Sequence, residues 1–103
     1  MRIIWRDQAR SDLKEAIEYL RARNPSVALR TAQIIREKVR LLRTQPGLGR
    51  PGRVTDTREL IITSTPYLVI YTVDSRIGAV IVLRVLHGAR LWPENTDDGN
   101  EIS

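Results

Sequence analysis

An α+β domain is predicted, in which an N-terminal strand leads into an antiparallel helix hairpin and then a three-stranded antiparallel meander, with the helices packed on one face of the sheet. Three observations predict it. Apolar residues recur at helical spacing from Ala9 to Leu42, an Asn-Pro pair interrupts that run, and from Arg58 the pattern changes to β-branched runs separated by turn residues. The 103 residues suit one domain, assigned to residues 1–93. Residues 94–103, ENTDDGNEIS, form an acidic tail expected to be disordered, with too few apolar side chains to bury.

The opening run Arg2 to Trp5 is β-prone and too short for a helix, and Asp7 is the expected N-cap of the first helix. Ala9, Leu13, Ala16, Ile17 and Leu20 then make one helical stripe, with Arg10, Asp12, Glu15, Glu18 and Arg21 assigned largely to the opposite side. Proline lacks an N–H and drives the preceding residue out of the α region, so the helix stops at Asn24-Pro25. The same pair starts a second helix, with Asn24 as N-cap and Pro25 in the first helical position. Val27, Ala28, Ala32, Ile34, Ile35, Val39, Leu41 and Leu42 give it a wide apolar stripe, and Pro46-Gly47 marks its end. The segment PGLGRPGRVTDT is expected to be a loop; no Gly-Lys-Ser/Thr follows its glycines, which excludes a Walker-type phosphate loop. RELIIT, YLVIYTV and AVIVLRVLH are the meander strands, and the short DSRIG break makes the last two antiparallel neighbours.

With no cysteine and a single histidine, disulfide, thiolate and histidine-rich metal chemistry are excluded, and no cofactor is expected. The start has no signal-peptide pattern and no run is long enough to span a membrane, so a cytoplasmic protein is expected. All 17 basic residues precede residue 94, whereas four of the 12 acidic ones, Glu94, Asp97, Asp98 and Glu101, lie in residues 94–103; the body therefore carries +9. Such a surplus attracts nucleic acid, a ribosome or an acidic protein segment.

The stretch RVLHGARLWP places the only histidine, His87, between Arg84 and Arg90. Strand alternation puts Arg84 with Leu86 and sets Leu83, Val85 and His87 on the other face, so Arg84 and His87 converge only where the strand twists or ends; Gly88 supplies a bend. Arg58, Arg84 and Arg90 are expected to gather near one sheet edge, with Arg50 and Arg53 on the preceding loop, as a cationic binding surface. A metal-independent ribonuclease could be built from the same set. His87 would move a proton, Arg58 or Arg84 would stabilise the phosphorane, and Glu59, Tyr67 or Tyr71 would supply the second proton-transfer group. Against this stand purely structural roles. His87 would pack on Trp92 or bond a loop carbonyl, Arg84 would pair with Glu59, Trp5 and Trp92 would pack at the core or rim, and Tyr67 and Tyr71 would pack on the helices. A non-enzymatic nucleic-acid-binding module is a further alternative, although no helix-turn-helix or zinc-finger pattern is present.

Taken in order, Trp5, ARSDLKEAIEYL, NPSVA, GRPGRVTDTRELII, TPYLVIYTV and VLRVLHGARLWP resemble toxins of the RelE/ParE superfamily over roughly Ile3 to Pro93. The resemblance implies a bacterial type II toxin held inactive by a cognate antitoxin whose acidic amphipathic segment wraps it. RelE-like members cut mRNA on the ribosome, whereas ParE-like members poison DNA gyrase. The ribonucleases usually carry an arginine before the apolar run that here begins at Tyr67, and their lysine-rich stretch and C-terminal tyrosine are missing; LRVLHGAR is closer to the ParE-like ending. Arg50, Arg53, Arg58, Arg84, His87 and Arg90 are accordingly the expected functional surface toward gyrase. His87, Arg84 and Arg58 are the catalytic set under the alternative of a ribosome-dependent mRNA endonuclease.

Overall fold

The Asn24-Pro25 break organises the first half of the computed structural model, which describes residues 1–88. The expectations for Arg90, Trp92 and residues 94–103 lie outside the described residues. Strand β1 (Arg2–Trp5) runs into helix α1 (Asp7–Arg23), and α2 (Pro25–Leu41) begins after one intervening residue. Asn24 is extended at φ −156°, and its side-chain oxygen accepts the Val27 N–H at 3.3 Å. It thus satisfies one of the orphan donors of α2, with Pro25 in the first turn where no donor is needed. The start of α1 differs from expectation. Arg6 occupies the N-cap without a side-chain bond and Asp7 lies inside the first turn, where its charge complements the helix dipole.

The second half is β2 (Arg50–Pro51), β3 (Arg58–Ile61), β4 (Tyr67–Asp74) and β5 (Ala79–His87), and the sheet order is β1-β5-β4-β3-β2. The antiparallel meander is as the sequence predicts, with β4 and β5 paired across a short turn from Asp74 to Ala79. Gly78 in that turn has φ +65°, a left-handed conformation that suits a residue without a Cβ. Two features go beyond expectation. The glycine-rich segment contains β2, a two-residue edge strand paired antiparallel with β3, so the sheet has five strands rather than four. The first strand closes the opposite edge by pairing parallel with β5, from Arg2 opposite Ala79 to Trp5 opposite Val82.

A β-bulge then changes the phase of β5. Ile70 lies opposite Arg84 while Tyr71 lies opposite Val82, leaving Leu83 as the extra residue. Val80, Val82 and Val85 consequently all enter the core, which corrects the simple alternation that grouped Leu83 with Val85. The core joins Val69 and Tyr71 of β4, Leu60 of β3, Ala9 and Leu13 of α1, and Ile35 and Val39 of α2 with Leu42 just beyond it. The inward face of α2 is narrower than its apolar stripe, since Ala28, Ala32, Ile35, Val39 and Leu42 are buried but Val27 and Leu41 remain exposed.

Ile35 is fully buried. Ile35→Ala should cost about 2–5 kcal/mol in urea unfolding. Loss of the cap in Asn24→Ala should cost about 1 kcal/mol.

Candidate functional site

Asp12 sits on the inward side of α1 rather than on the solvated side assigned from charge patterning, and its side chain is only 6% exposed. It lies within the Ala9-Leu13-Ala16 stripe at i+3, a position where a carboxylate must find partners. Beyond Trp5 nothing of β1 remains to pair with β5, and the carboxylate takes the place of a neighbouring strand. Its Oδ2 accepts the Val85 N–H at 3.0 Å and Arg84 Nε at 2.7 Å. Oδ1 accepts Arg84 Nη2 at 3.1 Å and Gln8 Nε2 at 3.0 Å. Burial pushes the Asp12 pKa up, but the Arg84, Val85 and Gln8 hydrogen bonds and the Arg84 charge outweigh it and hold the carboxyl below its ordinary value.

The expected Arg84–Glu59 pair is therefore replaced by Arg84–Asp12. Glu59 and Arg84 do share a cross-strand row, but Ile70 stands between them on β4. Glu59 instead accepts Arg50 Nη2 at 2.9 Å and the Arg53 backbone N–H at 3.3 Å. Arg58 donates to the Gly49 carbonyl at 2.6 Å, and the buried Tyr71 hydroxyl donates to Pro46 O at 2.7 Å while accepting the Gly49 N–H at 2.8 Å. These bonds shape the loop carrying Arg50 and Arg53, whose side chains stay more than half exposed at 56% and 55%.

The expected cationic surface thus divides. Arg50, Arg53 and Arg58 gather around the 46–59 loop and β3, Arg84 lies across β4 beside α1, and Arg90 is outside the described residues. His87 is exposed at the end of β5, opposite Tyr67, with the two rings edge to face at 5.7 Å. Gly88 turns the chain there, its N–H bonded to the Pro66 carbonyl at 2.6 Å. Tyr67 and Tyr71 pack in the core, and burial raises both phenol pKa values. That moves them away from the range suited to proton transfer near neutrality.

A groove of about 1150 Å³ runs between α1, α2 and β1. Ile3, Trp5, Leu13, Ile17, Ala28, Ala32 and Val39 line it, together with Arg2, Arg10, Lys14, Arg21, Arg36, Arg40 and Arg43; Glu18 is the one acidic lining residue. Charge counting gives the sign of this surface, but only the crossing of the two helices with β1 brings its cations together. Among the described residues no helix is long and apolar enough to cross a membrane, and no cluster of metal-ligating side chains is present.

Two helices packed with a five-stranded mixed sheet define a small α+β toxin fold of the RelE/ParE type. Residues 3–92 match the family described as ParE toxin of type II toxin-antitoxin system, parDE, and the chain belongs to that family. A relative named Putative toxin Y4kP, from Sinorhizobium fredii (strain NBRC 101917 / NGR234), is 33% identical over 93 residues, covering 90% of this chain and 94% of the relative. A chain of the chromosomal ParDE TA system from P. aeruginosa has a TM-score of 0.76 at 27% identity, covering 84% of this chain and 95% of that one. The toxin-antitoxin complex RelBE2 from Mycobacterium tuberculosis contains a chain with the same fold, with a TM-score of 0.55 at 21% identity and the same coverages of 84% and 95%.

Asp12→Ala should destabilise the protein by about 3–5 kcal/mol, since it removes the carboxylate paired with a largely buried guanidinium and the acceptor of the Val85 N–H. Because the folded pKa of Asp12 is depressed, its contribution is fully present above about pH 4 and is lost as pH falls through the folded value. The stability gap between wild type and Asp12→Asn should therefore narrow as unfolding is measured at progressively lower pH.

A Cβ at Gly49 would lie 2.8 Å from the Tyr71 ring and hydroxyl. Gly49→Ala should displace the 46–59 loop, with Tyr71 amide and ring resonances shifting more than those of α1.

Proposed function

We propose that the protein is a cytoplasmic toxin that inhibits DNA gyrase by binding, and that an antitoxin neutralises it by laying an acidic amphipathic segment in the groove. The observation that carries the binding mode is the division of the candidate ribonuclease groups. Arg84 is committed to Asp12 and Arg58 to the Gly49 carbonyl, on opposite sides of β4. Two cations held by separate structural partners do not form one phosphorane-stabilising centre around His87. Family membership and the ParE-like ending of the chain support gyrase as the target. The groove supports the antitoxin, because an apolar floor suits the apolar face of a helix and a cationic lining selects and steers acidic side chains.

The exposed loop arginines supply the surface offered to gyrase in this reading. Arg53 holds Glu59 chiefly through its backbone N–H, with its side-chain Nε at 3.9 Å, so its side chain can be removed without dismantling the loop.

Purified protein should inhibit gyrase supercoiling and leave mRNA on programmed ribosomes intact. A-site cleavage with unchanged supercoiling would establish the endonuclease alternative instead. Arg53→Ala should weaken gyrase inhibition while leaving the unfolding midpoint unchanged. The double reversal Arg36→Glu/Arg40→Glu should weaken binding of a synthetic acidic amphipathic helical peptide by roughly tenfold or more at low salt, and by less at high salt.

A further inference from the structure

We infer that the loop carrying Arg50 and Arg53 binds the phosphodiester backbone of duplex DNA, with the buried Glu59 carboxylate holding the two guanidiniums in place. The ligand is DNA itself, so the inference goes beyond the loop as a surface offered to gyrase and is tested without that enzyme. Glu59 lies on β3 with its side chain only 5% exposed. Its Oε1 accepts Arg50 Nε at 3.2 Å and Arg50 Nη2 at 2.9 Å. Its Oε2 accepts the Arg53 backbone N–H at 3.3 Å, and Arg53 Nε lies 3.9 Å away. Two exposed guanidiniums are thus drawn to the two oxygens of one buried carboxylate. Arg50 Nη1 and both Nη groups of Arg53 have no protein acceptor among the described residues, which leaves their donors turned to a ligand.

Charge and preorganisation distinguish this arrangement from an ordinary surface ion pair. One arginine balances the buried carboxylate; the second leaves a positive surplus, and residues 46–55, PGLGRPGRVT, contain no acid that would answer it. Two adjacent guanidiniums repel each other, and a carboxylate between them offsets that repulsion while removing side-chain freedom that a ligand would otherwise have to freeze. The backbone beneath is fixed from the core as well. Tyr71 bonds the Pro46 carbonyl and the Gly49 N–H, and Arg58 Nη1 bonds the Gly49 carbonyl at 2.6 Å. The guanidinium fork matches phosphate oxygens in a way that an ammonium cannot, so two forks held side by side suit a phosphate backbone. Residues 46–59 include no aromatic side chain, whereas single strands are bound by stacking their bases on exposed aromatic rings. A duplex, which keeps its bases inside and its phosphates outside, fits this surface, and contacts of this kind position the protein without reading sequence.

The test uses the full chain and a short fluorescent DNA duplex of mixed sequence, with binding read by anisotropy at low salt. Arg50→Lys/Arg53→Lys keeps the net charge but removes both forks, and it should weaken binding by roughly tenfold. The charge-matched pair Arg30→Lys/Arg76→Lys, at exposed positions away from the loop, should change it by less than about twofold. Glu59→Gln makes the chain one unit more positive, so attraction by charge alone predicts tighter binding. The structure predicts the opposite sign, a loss of roughly threefold, because the two guanidiniums are no longer held. Polyglutamate serves as the carboxylate probe, and its affinity should fall by less than about twofold in the lysine pair. Equal losses for the two lysine pairs, or tighter binding by Glu59→Gln with Tyr71 resonances unchanged, would overturn the site in favour of diffuse attraction by a basic surface. An equal loss toward polyglutamate would overturn it in favour of a carboxylate-bearing partner, and tighter binding of single-stranded RNA with the same number of phosphates would overturn the choice of a duplex. No measurable binding of the duplex by the wild-type chain would overturn the inference and leave the gyrase reading standing.

Discussion

The Asp12 carboxylate is the constraint on which the arrangement of helices and sheet depends. Strand β1 covers only the first part of β5, up to Val82, and the strand continues to His87. An uncovered edge in the middle of a domain leaves donors to be satisfied, and the Val85 N–H is one of them. A single side chain from the second turn of α1 satisfies it, and the same carboxylate fixes Arg84 through two further bonds. Helix and strand are thereby locked together across 72 residues of sequence. The bulge at Leu83 contributes to the same end, because it resets the phase of β5 and returns Val85 to the core beside Val82.

That lock divides the surfaces. With α1 held against the far part of β5, its Leu13, Lys14, Ile17 and Arg21 are left facing α2 and β1, where they line the groove. The opposite edge of the sheet is organised independently by Tyr71, Arg58 and Glu59, which bond the backbone of the 46–53 loop. The two cationic regions thus rest on separate polar networks. A substitution in one need not propagate to the other, since independent sites without shared partners respond additively.

Much of the architecture was legible in the sequence because local patterns decide it. Helical periodicity, the Asn24-Pro25 break and the change to β-branched runs are short-range signals, and the structure obeys each of them. What was missed depends on distant chain segments. The two-residue β2 exists because β3 offers an edge for Arg50 and Pro51, and no propensity within a glycine- and proline-rich loop announces it. Asp12 did carry a signal: three residues after Ala9 and beside Leu13, it belongs to the inward stripe, and an acid there calls for a distant cation. Its partner could not be chosen locally, because the bulge that sets the phase at Arg84 arises only in the pairing with β4. The basic surplus was legible in the composition, whereas its gathering over one apolar floor required the crossing of the helices with β1.

The arginines show why charge alone is a poor guide to function in a chain with 17 basic residues. Arg84 is 16% exposed and bonds a buried carboxylate twice, so that carboxylate offsets its positive charge within the fold. Arg50 is more exposed but still answers Glu59. The groove arginines differ in kind, since seven cations face one lining carboxylate and keep an unbalanced field over an apolar floor. An acidic segment entering that field neutralises charges that the fold leaves unanswered, and in burying its apolar face it gains a hydrophobic contribution that salt does not screen. Electrostatics then governs how fast and how selectively such a partner arrives, while the apolar floor governs how slowly it leaves. That combination of field and apolar floor arises here from the crossing of two helices with one short strand rather than from any single residue.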